Sequence, residues 1–417
     1  MDNNKLPRQP RRLILLTQWF DPEPTFKGLL YAKALQRSGY DVEVVTGYPN
    51  YPGGKIYDGY RMRLLKREKI DGIMITRLPL YPSHDSRQIL RALNYASFCL
   101  SAIFYLLLLA RKANVLYAYH PPLTVGIAAA VAKLFRRTPT VLDIQDIWPD
   151  TLTATGMVKT PRLIRWIGLA CLWTYARVSH IVVLSPGFKR LLIQRGVPES
   201  KISVIYNWAD EKAIEIAGAS RPEMMPDNGR FRLLFAGNMG LAQNLDVVLD
   251  AAKIVSGQAA FVEFCFVGDG VDADRIRQRA SNENITNVRF FPKVPMSEVG
   301  AYLAAADALL VHLRPDPLFE ITIPSKTQAY MSVGRPIVMA VEGDAAQLIK
   351  DARAGLVAKP GDEQALAEAV LSITRLSKGE REDMAASARH FYRSNLSLDC
   401  GVRAFVDVFE IVERRHR

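Results

Sequence analysis

Residues 231–245 read FRLLFAGNMGLAQNL, an apolar run followed by a glycine-rich turn and the start of a helical pattern. The run Arg232–Ala236 has the length and apolar character of a strand buried in a parallel sheet. Gly237 and Gly240 flank Asn238 at the turn, and backbone N–H groups at a helix start favour an anion such as phosphate. This order of strand, glycine turn and helix predicts one unit of a doubly wound α/β domain with a binding edge at the turn.

Short apolar runs rich in β-branched residues alternate with helical patterns through the whole chain. Buried strands separated by helices indicate parallel sheets covered on both faces, and right-handed crossovers make such sheets doubly wound. The predicted strands of a first series are Leu13–Thr17, Val42–Thr46, Ile73–Arg77, Val115–Tyr119, Thr140–Ile144, Ile181–Leu184 and Ile202–Tyr206. Those of a second series are Arg232–Ala236, Glu263–Val267, Val288–Phe291, Ala308–His312 and Pro336–Ala340.

A polar stretch with Pro222 and Pro226 separates the two series. We therefore predict two Rossmann-like domains over residues 1–207 and 208–395, and a C-terminal helix over 396–417 that returns to the first domain. Ligands of open α/β sheets bind beyond the carboxyl ends of the strands. The expected fold class is α/β with two doubly wound domains facing a cleft, and the ligand is expected in that cleft.

The composition argues against several classes of protein. Of 417 residues, 49% are hydrophobic and 23% are charged, which is too apolar for a disordered chain. The four cysteines have no paired spacing, which argues against a disulfide scaffold and a zinc site and fits a reducing compartment. Neither a Ser-His-Asp order, an HExxH pair nor a P-loop lysine motif is present.

Positive charge is concentrated in the first half of the chain. Residues 1–207 hold 29 Lys and Arg against 13 Asp and Glu, a net charge of +16, whereas the remainder holds 25 against 29. This asymmetry indicates an anionic surface facing the first half, either nucleic acid or lipid headgroups. A soluble basic domain without such a partner is the alternative.

One uncharged stretch, Ala92–Ala110, lies between Arg91 and Arg111. Its length of about 19 residues is at the lower limit for a membrane span. Because Asn94 and other polar residues dilute its first half, we favour a long helix that is buried or lies in the membrane interface over a spanning helix.

The densest group of polar residues, at 312–338, reads HLRPDPLFEITIPSKTQAYMSVGRPIV. Pro324 suits the first turn of a helix, and Ser325 is a residue that satisfies orphan amides there. Lys326 then lies at a helix start, where a positive charge is unfavourable unless an anion binds. We predict that Lys326 meets an anion, against the alternative of a solvent-facing lysine. Glu320 lies in the loop before it.

A further glycine turn, formed by Gly268, Asp269 and Gly270, follows the predicted strand Glu263–Val267. A single turn of this kind is usually structural. Turns at successive strand ends of one domain favour a binding edge.

The loop before the predicted helix Leu29–Ser38 contains Thr25, Lys27 and Gly28. The helix start favours an anion, and the glycine permits a close approach. We favour an anion site here over an ordinary strand-to-helix loop.

Two more strand ends in the first half carry candidate side chains. His120 follows a strand in YAYHPPLT, and Asp146 and Trp148 follow another in VLDIQDIWPD. We favour a functional carboxylate at Asp146 over a helix cap. For His120 a site residue and a satisfied turn histidine stay equally open.

These motifs resemble those of the GT-B glycosyltransferases of the retaining family 4, in particular bacterial surface-polysaccharide transferases of the WbuB and WcaI type. The resemblance rests on HPPLTVG, DIQDIWPD, FAGNMG with QNLD, FVGDG and FEITIPSKTQAYMSVGRPI. It implies a UDP-sugar held mainly by the second domain and an undecaprenyl-diphosphate-linked saccharide held by the first, at the cytoplasmic face of the membrane. Members of this group transfer N-acetyl-L-fucosamine in O-antigen or capsule synthesis.

The resemblance also implies roles for single residues. Asp146, Glu320 and Lys326 would be catalytic, and His120 and Trp148 would lie on the acceptor side. The implied donor-binding residues are Gly28, Gly237, Asn238, Gly240, Gly268, Asp269, Gly270, Val294, Pro324, Ser325, Thr327 and Gln328.

The sequence departs from the family pattern at the acidic pair. Many members have two glutamates separated by seven residues, and here Glu320 is followed at that spacing by Gln328. Aligned instead on YMSVG, the two positions fall on Ile321 and Ala329. The usual Arg and Lys of the GNMG segment are also absent, and a common histidine is replaced by Gln145. The diphosphate charge would then have to be met by Lys326.

The sequence therefore favours a metal-independent, retaining glycosyltransferase without a cofactor. Its partners would be a UDP-sugar, a lipid-linked saccharide and the inner membrane surface, to which it would bind peripherally, and it would bind no nucleic acid. Two alternatives stay open, a sugar-nucleotide epimerase of the same architecture and a nucleotide-sugar-binding subunit without catalysis.

Overall fold

A computed structural model describes residues 11–83, 88–120, 122–154, 157–158 and 160–416, apart from the side chains at 88 and 120. The chain forms two compact units. The N-terminal unit comprises Met1–Leu184, Phe188–Ile205 and Val402–Arg417. The C-terminal unit comprises Ser185–Gly187 and Tyr206–Gly401.

The described part of the N-terminal unit has one sheet in the order β3-β4-β2-β1-β5-β6-β7-β8, parallel except for β3. Its strands are β1 (Arg11–Leu16), β2 (Tyr40–Gly47), β3 (Lys66–Ile70), β4 (Ile73–Leu78), β5 (Val115–His120), β6 (Thr140–Ile144), β7 (His180–Val183) and β8 (Ile202–Val204).

The sheet of the C-terminal unit is parallel throughout, in the order β11-β10-β9-β12-β13-β14. Its strands are β9 (Phe231–Ala236), β10 (Val262–Val267), β11 (Val288–Phe291), β12 (Ala308–His312), β13 (Ile337–Ala340) and β14 (Gly355–Val357).

Helices connect these strands in both units. In chain order they are α1 (Leu29–Arg37), α2 (Gln88–Phe104), α3 (Leu123–Arg136), α4 (Asp150–Ala154), α5 (Pro161–Arg177), α6 (Pro186–Gln194), α7 (Glu211–Gly218), α8 (Leu245–Gln258), α9 (Ala273–Asn282), α10 (Met296–Ala305), α11 (Pro317–Glu320), α12 (Lys326–Val333), α13 (Asp344–Asp351), α14 (Glu363–Arg375), α15 (Lys378–Asn395) and α16 (Leu398–Arg414).

The central strand β9 shows why each sheet is covered on both faces. Leu233 and Phe235 are buried in one apolar cluster, with residues of α8 and α14. Leu234 and Ala236, which point to the opposite face, are buried in a second cluster with residues of α10 and α12. The near-continuous apolar run of β9 is the pattern of a strand covered on both faces, so the predicted doubly wound α/β architecture is confirmed.

Every predicted strand is present, with limits that differ by at most two residues, but two edge strands were not predicted. The residues of β3 alternate between half-buried and exposed and are mostly charged, so they form no apolar run. The Asp71–Gly72 turn, with φ of 47° and 89°, joins β3 to β4 and is the hairpin signal that could have revealed this strand. The other missed strand, β14, has only three residues.

The uncharged stretch around 92–110 forms α2, which continues as a π-helical turn over Tyr105–Leu109. One face of this helix is buried on the domain, with Phe98 and Ala102 inside and Tyr105 donating a hydrogen bond of 2.5 Å to Glu43. The other face exposes apolar side chains. Within the described residues, Ile89–Leu109 is the one helical stretch long and apolar enough to cross a membrane, and about a third of it is buried.

Candidate functional site

The two glycine turns at the ends of β9 and β10 pack directly against each other. The Gly237 amide donates to the Val267 carbonyl at 2.9 Å. A Cβ at Gly268 would lie 2.0 Å from the Gly237 carbonyl oxygen, and one at Gly270 would lie 2.4 Å from the Met239 oxygen. Gly237 and Gly268 also have φ of +134° and +140°, which side chains disfavour. These glycines therefore bring two strand ends into contact and leave their backbone open at one edge of the sheet.

Lys326 is the first residue of α12, as the sequence predicts, but its ammonium is buried rather than solvent-facing. The rest of the residue is half-buried, and Nζ lies 3.6 Å from the centre of the Phe235 ring. A Cβ at Gly237 would lie 3.4 Å from this nitrogen, which places it beside the glycine turn. No described residue accepts a hydrogen bond from Nζ. Burial lowers the pKa of Lys326 to about 7.

Two neighbouring polar groups are also buried without partners. His312 Nδ1 lies 2.7 Å from the Gln243 carbonyl oxygen, whereas its Nε2 has no partner among the described residues. The Thr327 hydroxyl has none either. Burial lowers the pKa of His312 to about 4, and the positive charge of Lys326 contributes. Unpartnered buried polar atoms are rare in native structures, so this group indicates a place for a polar ligand.

The other residues predicted for the donor side fall into two groups. Asn238 and Asp269 are exposed at the turns, and Gly240 is buried beside Asn238. Glu320 ends α11 with an exposed carboxylate that has no partner among the described residues.

Ser325 is the N-cap residue of α12, but it is exposed and its side chain makes no capping hydrogen bond, contrary to the prediction. Val294 and Gln328, by contrast, pack into the domain. Val294 packs against the apolar core. Gln328 is buried, and its amide lies within hydrogen-bond distance of the carbonyls of Pro324 and Ser325, at 3.1 Å and 3.0 Å. Gln328 therefore holds the turn before α12, which is a structural role.

The prediction of an anion site at Gly28 is corrected by the geometry of α1. The carboxylate of Asp21 accepts a hydrogen bond of 2.7 Å from the Leu29 amide at the start of the helix. A Cβ at Gly28 would lie 2.3 Å from the same carboxylate oxygen. The close approach that the glycine permits is thus that of Asp21, which supplies the negative charge that a helix start favours.

Lys27, in the same loop, is fully buried and forms an ion pair with Asp143 at the end of β6. Asp143 also accepts hydrogen bonds from Tyr117 at 2.5 Å and from Gln145 at 2.7 Å. Phe405 of α16 lies beneath the ammonium, 4.5 Å from ring centre to Nζ. This cluster fixes the residues that lead into the Asp146 loop.

Asp146 differs from Asp143 although it lies three residues later. Its side chain is half-buried and has no hydrogen-bond or ion-pair partner among the described residues. Burial alone raises its pKa. Trp148, from the same loop, is half-buried, and its amide donates to the Asp146 carbonyl at 3.1 Å. His120 ends β5, and its side chain lies outside the described residues.

An aromatic cluster beside this loop was not predicted. Trp19 follows β1, Tyr51 follows β2 and Tyr95 lies on α2. Ring centres are 4.9 Å apart for Trp19 and Tyr51, and 6.2 Å apart for Trp19 and Tyr95. Burial raises the pKa of Tyr95, and the negative charge of Asp146 contributes to the rise. Trp19, two residues after a predicted strand, was the signal available in the sequence.

The loops that carry Trp19 and Tyr51 are joined by a buried carboxylate. Glu23 accepts hydrogen bonds from the amides of Asn50 and Tyr51, at 2.7 Å and 2.8 Å, and from that of Phe20 at 3.2 Å. Burial raises the pKa of Glu23, and these amides oppose the rise.

Among the described residues, no group of three or more His, Cys, Asp and Glu side chains is arranged to hold a metal ion.

Comparison with known families agrees with this division of the chain. A glycosyl transferase 4-like domain model matches residues 29–208, and a glycosyl transferases group 1 model matches residues 230–375. The chain is built from two glycosyltransferase domains. The family part of the sequence-based prediction is thereby confirmed.

Two curated relatives show how distant the likeness is. The glycosyltransferase WbjE of Pseudomonas aeruginosa is 27% identical over 242 residues, 57% of this chain and 60% of WbjE. The colanic acid biosynthesis glycosyl transferase WcaI of Escherichia coli strain K12 is 25% identical over 318 residues, 74% of this chain and 77% of WcaI. The match thus spans about three fifths of WbjE and about three quarters of WcaI.

Among solved structures, the Anabaena protein HepE in complex with UDP and glucose is similar with a TM-score of 0.65. The match covers 95% of this glycosyltransferase chain and 99% of HepE, at 16% sequence identity. At this identity the likeness shows the fold, which is the GT-B fold predicted from the sequence.

Proposed function

We propose that this glycosyltransferase transfers a sugar from a UDP-sugar to a lipid-linked saccharide. The observation that carries the proposal is the buried ammonium of Lys326, which faces the open glycine turn without an acceptor. Transfer makes negative charge grow on the departing diphosphate, and a donor fixed in a dry site stabilises such charge strongly. The start of α12 adds backbone N–H groups of the same polarity.

The remaining donor contacts follow from the same placement. Gly237, Asn238 and the Gly268 turn would contact the nucleotide through backbone and amide groups, and Glu320 would hydrogen-bond the transferred sugar. In this proposal Lys326 and the helix start meet the diphosphate charge without a metal ion, and the reaction retains the anomeric configuration. HepE, which shares the fold, binds UDP and glucose.

The acceptor is assigned to the N-terminal unit. The unpartnered carboxylate of Asp146 would accept a hydrogen bond from the attacking hydroxyl and orient it. Trp19 and Tyr95 offer aromatic surface beside it, on which the apolar face of a pyranose ring packs. Asp146 is suited to this because no internal cation competes for it among the described residues.

The product proposed is a bacterial surface polysaccharide, such as an O-antigen, capsule or exopolysaccharide. The name of WcaI, which refers to colanic acid biosynthesis, supports this class. For the donor we propose UDP-N-acetyl-L-fucosamine or a related N-acetylated sugar, carried to an undecaprenyl-diphosphate-linked saccharide. No cofactor is needed for such a transfer.

We also propose peripheral attachment to the cytoplasmic face of the membrane through three adjacent helices of the N-terminal unit. Helix α3 packs against α2 on one side and α5 on the other. All charged residues of these three helices are basic. The exposed apolar side chains of these helices and of the π-helical turn after α2 include Leu93, Leu100, Phe104, Leu108, Leu134, Phe135, Leu163, Trp166 and Leu169. Apolar side chains among Lys and Arg match an anionic lipid surface.

The proposal is tested by offering the purified protein a panel of UDP-sugars and an undecaprenyl-diphosphate GlcNAc acceptor, and measuring both UDP release and glycolipid product. Product formed only with the acceptor supports a transferase. A UDP-sugar converted without an acceptor would instead identify an epimerase, and UDP-sugar binding without any conversion would identify a binding subunit. Glu320→Gln should raise the KM for the donor and leave the KM for the acceptor unchanged.

Membrane attachment is tested separately, by flotation with phosphatidylglycerol vesicles at low and high salt. Binding should weaken as salt increases, because screening reduces the attraction of basic residues to anionic lipid. Phe104→Ser, on the exposed face of α2, should weaken it further, whereas Phe261→Ser, equally exposed in the C-terminal unit, should not. Equal flotation of both variants would show that α2 does not contact lipid.

A further inference from the structure

A cavity of about 280 Å³ lies beneath α5 in the N-terminal unit. Trp148 and Pro149, from the loop that carries Asp146, form one side of it, and Ile164, Gly168 and Leu172 of α5 form the other. The candidate acceptor carboxylate and the cavity thus share one loop. The proposed transfer reaction places no part of the donor or acceptor in this cavity.

The walls of the cavity are mostly apolar, and its charged lining residues are arginines. Arg195 is held by Asp150 in an ion pair, with Nη2 2.5 Å from the carboxylate. Arg165 is exposed and has no ion pair among the described residues. An apolar space with a free guanidinium beside it fits a ligand that is hydrocarbon at one end and anionic at the other.

The face of α5 that points away from the cavity also carries apolar side chains. Leu163, Trp166 and Leu169 are 46%, 70% and 50% exposed. The charged residues on the same helix, Arg162, Arg165 and Arg177, are all positive. Helix α5 therefore presents no negative charge that would repel an anionic lipid near the cavity.

The cavity is open to solvent on one side, and its volume is large enough for a hydrocarbon ligand. A cavity of about 150 Å³ lined by apolar side chains stays dry and binds benzene, a six-carbon ring. The cavity under α5 is nearly twice as large and has room for roughly two five-carbon units.

We propose that this cavity binds the diphosphate-proximal isoprenoid units of the lipid acceptor, with the diphosphate at Arg165. The inference rests on the proposed function for the identity of the acceptor. It adds that the enzyme recognises the lipid itself, and that this anchoring presents the saccharide to Asp146. The branched isoprenoid chain is the occupant because it alone would carry both the diphosphate and the sugar to this loop.

Gly168 offers a way to fill the cavity without disturbing the fold. It lies within α5, and a Cβ there would meet only Pro149 Cγ, at 3.9 Å, an ordinary contact. Leucine is also a better helix former than glycine, so Gly168→Leu should melt no lower than the parent. The matched control is Gly257→Leu, because Gly257 lies in α8 of the C-terminal unit with open space around its Cα.

The first measurement is calorimetric binding of geranylgeranyl diphosphate, which needs no turnover. Gly168→Leu should weaken binding at least tenfold, Gly168→Ala should weaken it less, and Gly257→Leu should bind like the parent. Inorganic pyrophosphate should bind the parent and Gly168→Leu equally. Equal affinity of the parent and Gly168→Leu for geranylgeranyl diphosphate would overturn the proposal.

The second measurement compares two acceptors with the same saccharide diphosphate, one on a polyprenyl chain and one on a short alkyl group. Gly168→Leu should raise the KM for the long-chain acceptor at least tenfold and leave that for the short one unchanged, with UDP affinity unaltered. Equal loss with both acceptors would overturn the proposal. Weaker flotation of Gly168→Leu on phosphatidylglycerol vesicles without acceptor would overturn it too, because the cavity would then hold a phospholipid chain. A parent protein that binds geranylgeranyl diphosphate but transfers no sugar would refute the proposed function alone.

Discussion

Lys27 and Lys326 occupy similar positions in the two units and have opposite surroundings. Each lies at the start of a helix after a parallel strand, and each has a buried ammonium. Lys27 is paired with Asp143, whereas Lys326 has no acceptor among the described residues. Burial lowers the pKa of both, and Asp143 opposes this for Lys27. Burial and the local motif are alike for the two lysines, so neither distinguishes them. The difference is the internal partner, which is present for a structural lysine and absent for one available to a ligand.

The same contrast holds for two carboxylates three residues apart. Asp143 is bound by Lys27, Tyr117 and Gln145, and Asp146 by no described side chain. A residue that binds a ligand needs polar atoms without partners inside the protein. A structural residue makes its hydrogen bonds and ion pairs within the protein.

The largest effect is expected where the internal pair is broken. Lys27→Met leaves the charge of Asp143 buried and unpaired, which should lower the free energy of unfolding by about 3–5 kcal/mol. Urea unfolding at neutral pH measures this. The double variant Lys27→Met with Asp143→Leu should regain part of the stability, because no charge is then left behind. A loss below about 1 kcal/mol, the scale of a surface pair, would show that the pair is not structural.

Exchanging the two carboxylates for amides tests the contrast in turnover. Asp146→Asn should lower kcat about a hundredfold, the lower range for loss of a positioned catalytic group, with unchanged melting temperature and UDP affinity. Asp143→Asn should lower the melting temperature instead. Wild-type turnover of Asp146→Asn would remove this residue from the site.

The unpaired lysine should behave in the opposite way to Lys27. Lys326→Met should lower UDP affinity about 10- to 100-fold, the scale of a hydrogen bond to a charged group, and lower kcat as well. Its melting temperature should rise, because an unpartnered buried charge is removed. Lys326→Arg should recover only part of the activity, because a planar guanidinium does not reproduce a compact ammonium. Normal turnover, or an unfolded Lys326→Met protein, would place the diphosphate elsewhere.

Over a single pH unit, the pH dependence should show the smallest effect. Because Lys326 in the folded protein has a pKa near 7, below its ordinary value of 10.5, the unfolded state binds more protons between these values. The contribution of Lys326 to the free energy of unfolding therefore rises with pH in that window, by at most about 1.4 kcal/mol per pH unit. The Lys326→Met variant should lack this rise.

UDP affinity should change in the opposite direction, falling by up to about tenfold per pH unit above pH 7 as the ammonium loses its proton. Calorimetry should also show proton uptake on UDP binding at pH 8. His312, the titratable group near Lys326, has a pKa of about 4 and stays neutral in this range. The same pH dependence of UDP affinity in Lys326→Met would assign the effect to another group.

The sequence alone determined much of the donor side. The run FRLLFAGNMG predicts a strand and a glycine turn, and both are confirmed. The position of Lys326 at a helix start was likewise predictable, because Pro324 and Ser325 precede a helical pattern by a fixed number of residues. The charged strand β3 was missed because it lies at a sheet edge and needs no apolar run.

The acceptor side was less predictable because its contacts join distant parts of the chain. Lys27 and Asp143 are 116 positions apart, and the sequence around Lys27 does not indicate which residue pairs with it. The aromatic cluster around Trp19 likewise joins segments that are far apart in the sequence.

What the sequence determined by itself is therefore the order of elements, the glycine turns and the concentration of positive charge in the first 207 residues. These follow from periodicity and composition, which local physical chemistry sets. The tertiary structure alone decided which charges are paired, which face of α2 is exposed and where a cavity remains under α5. Each of these depends on what a side chain meets after folding, and that neighbour comes from another segment of the chain.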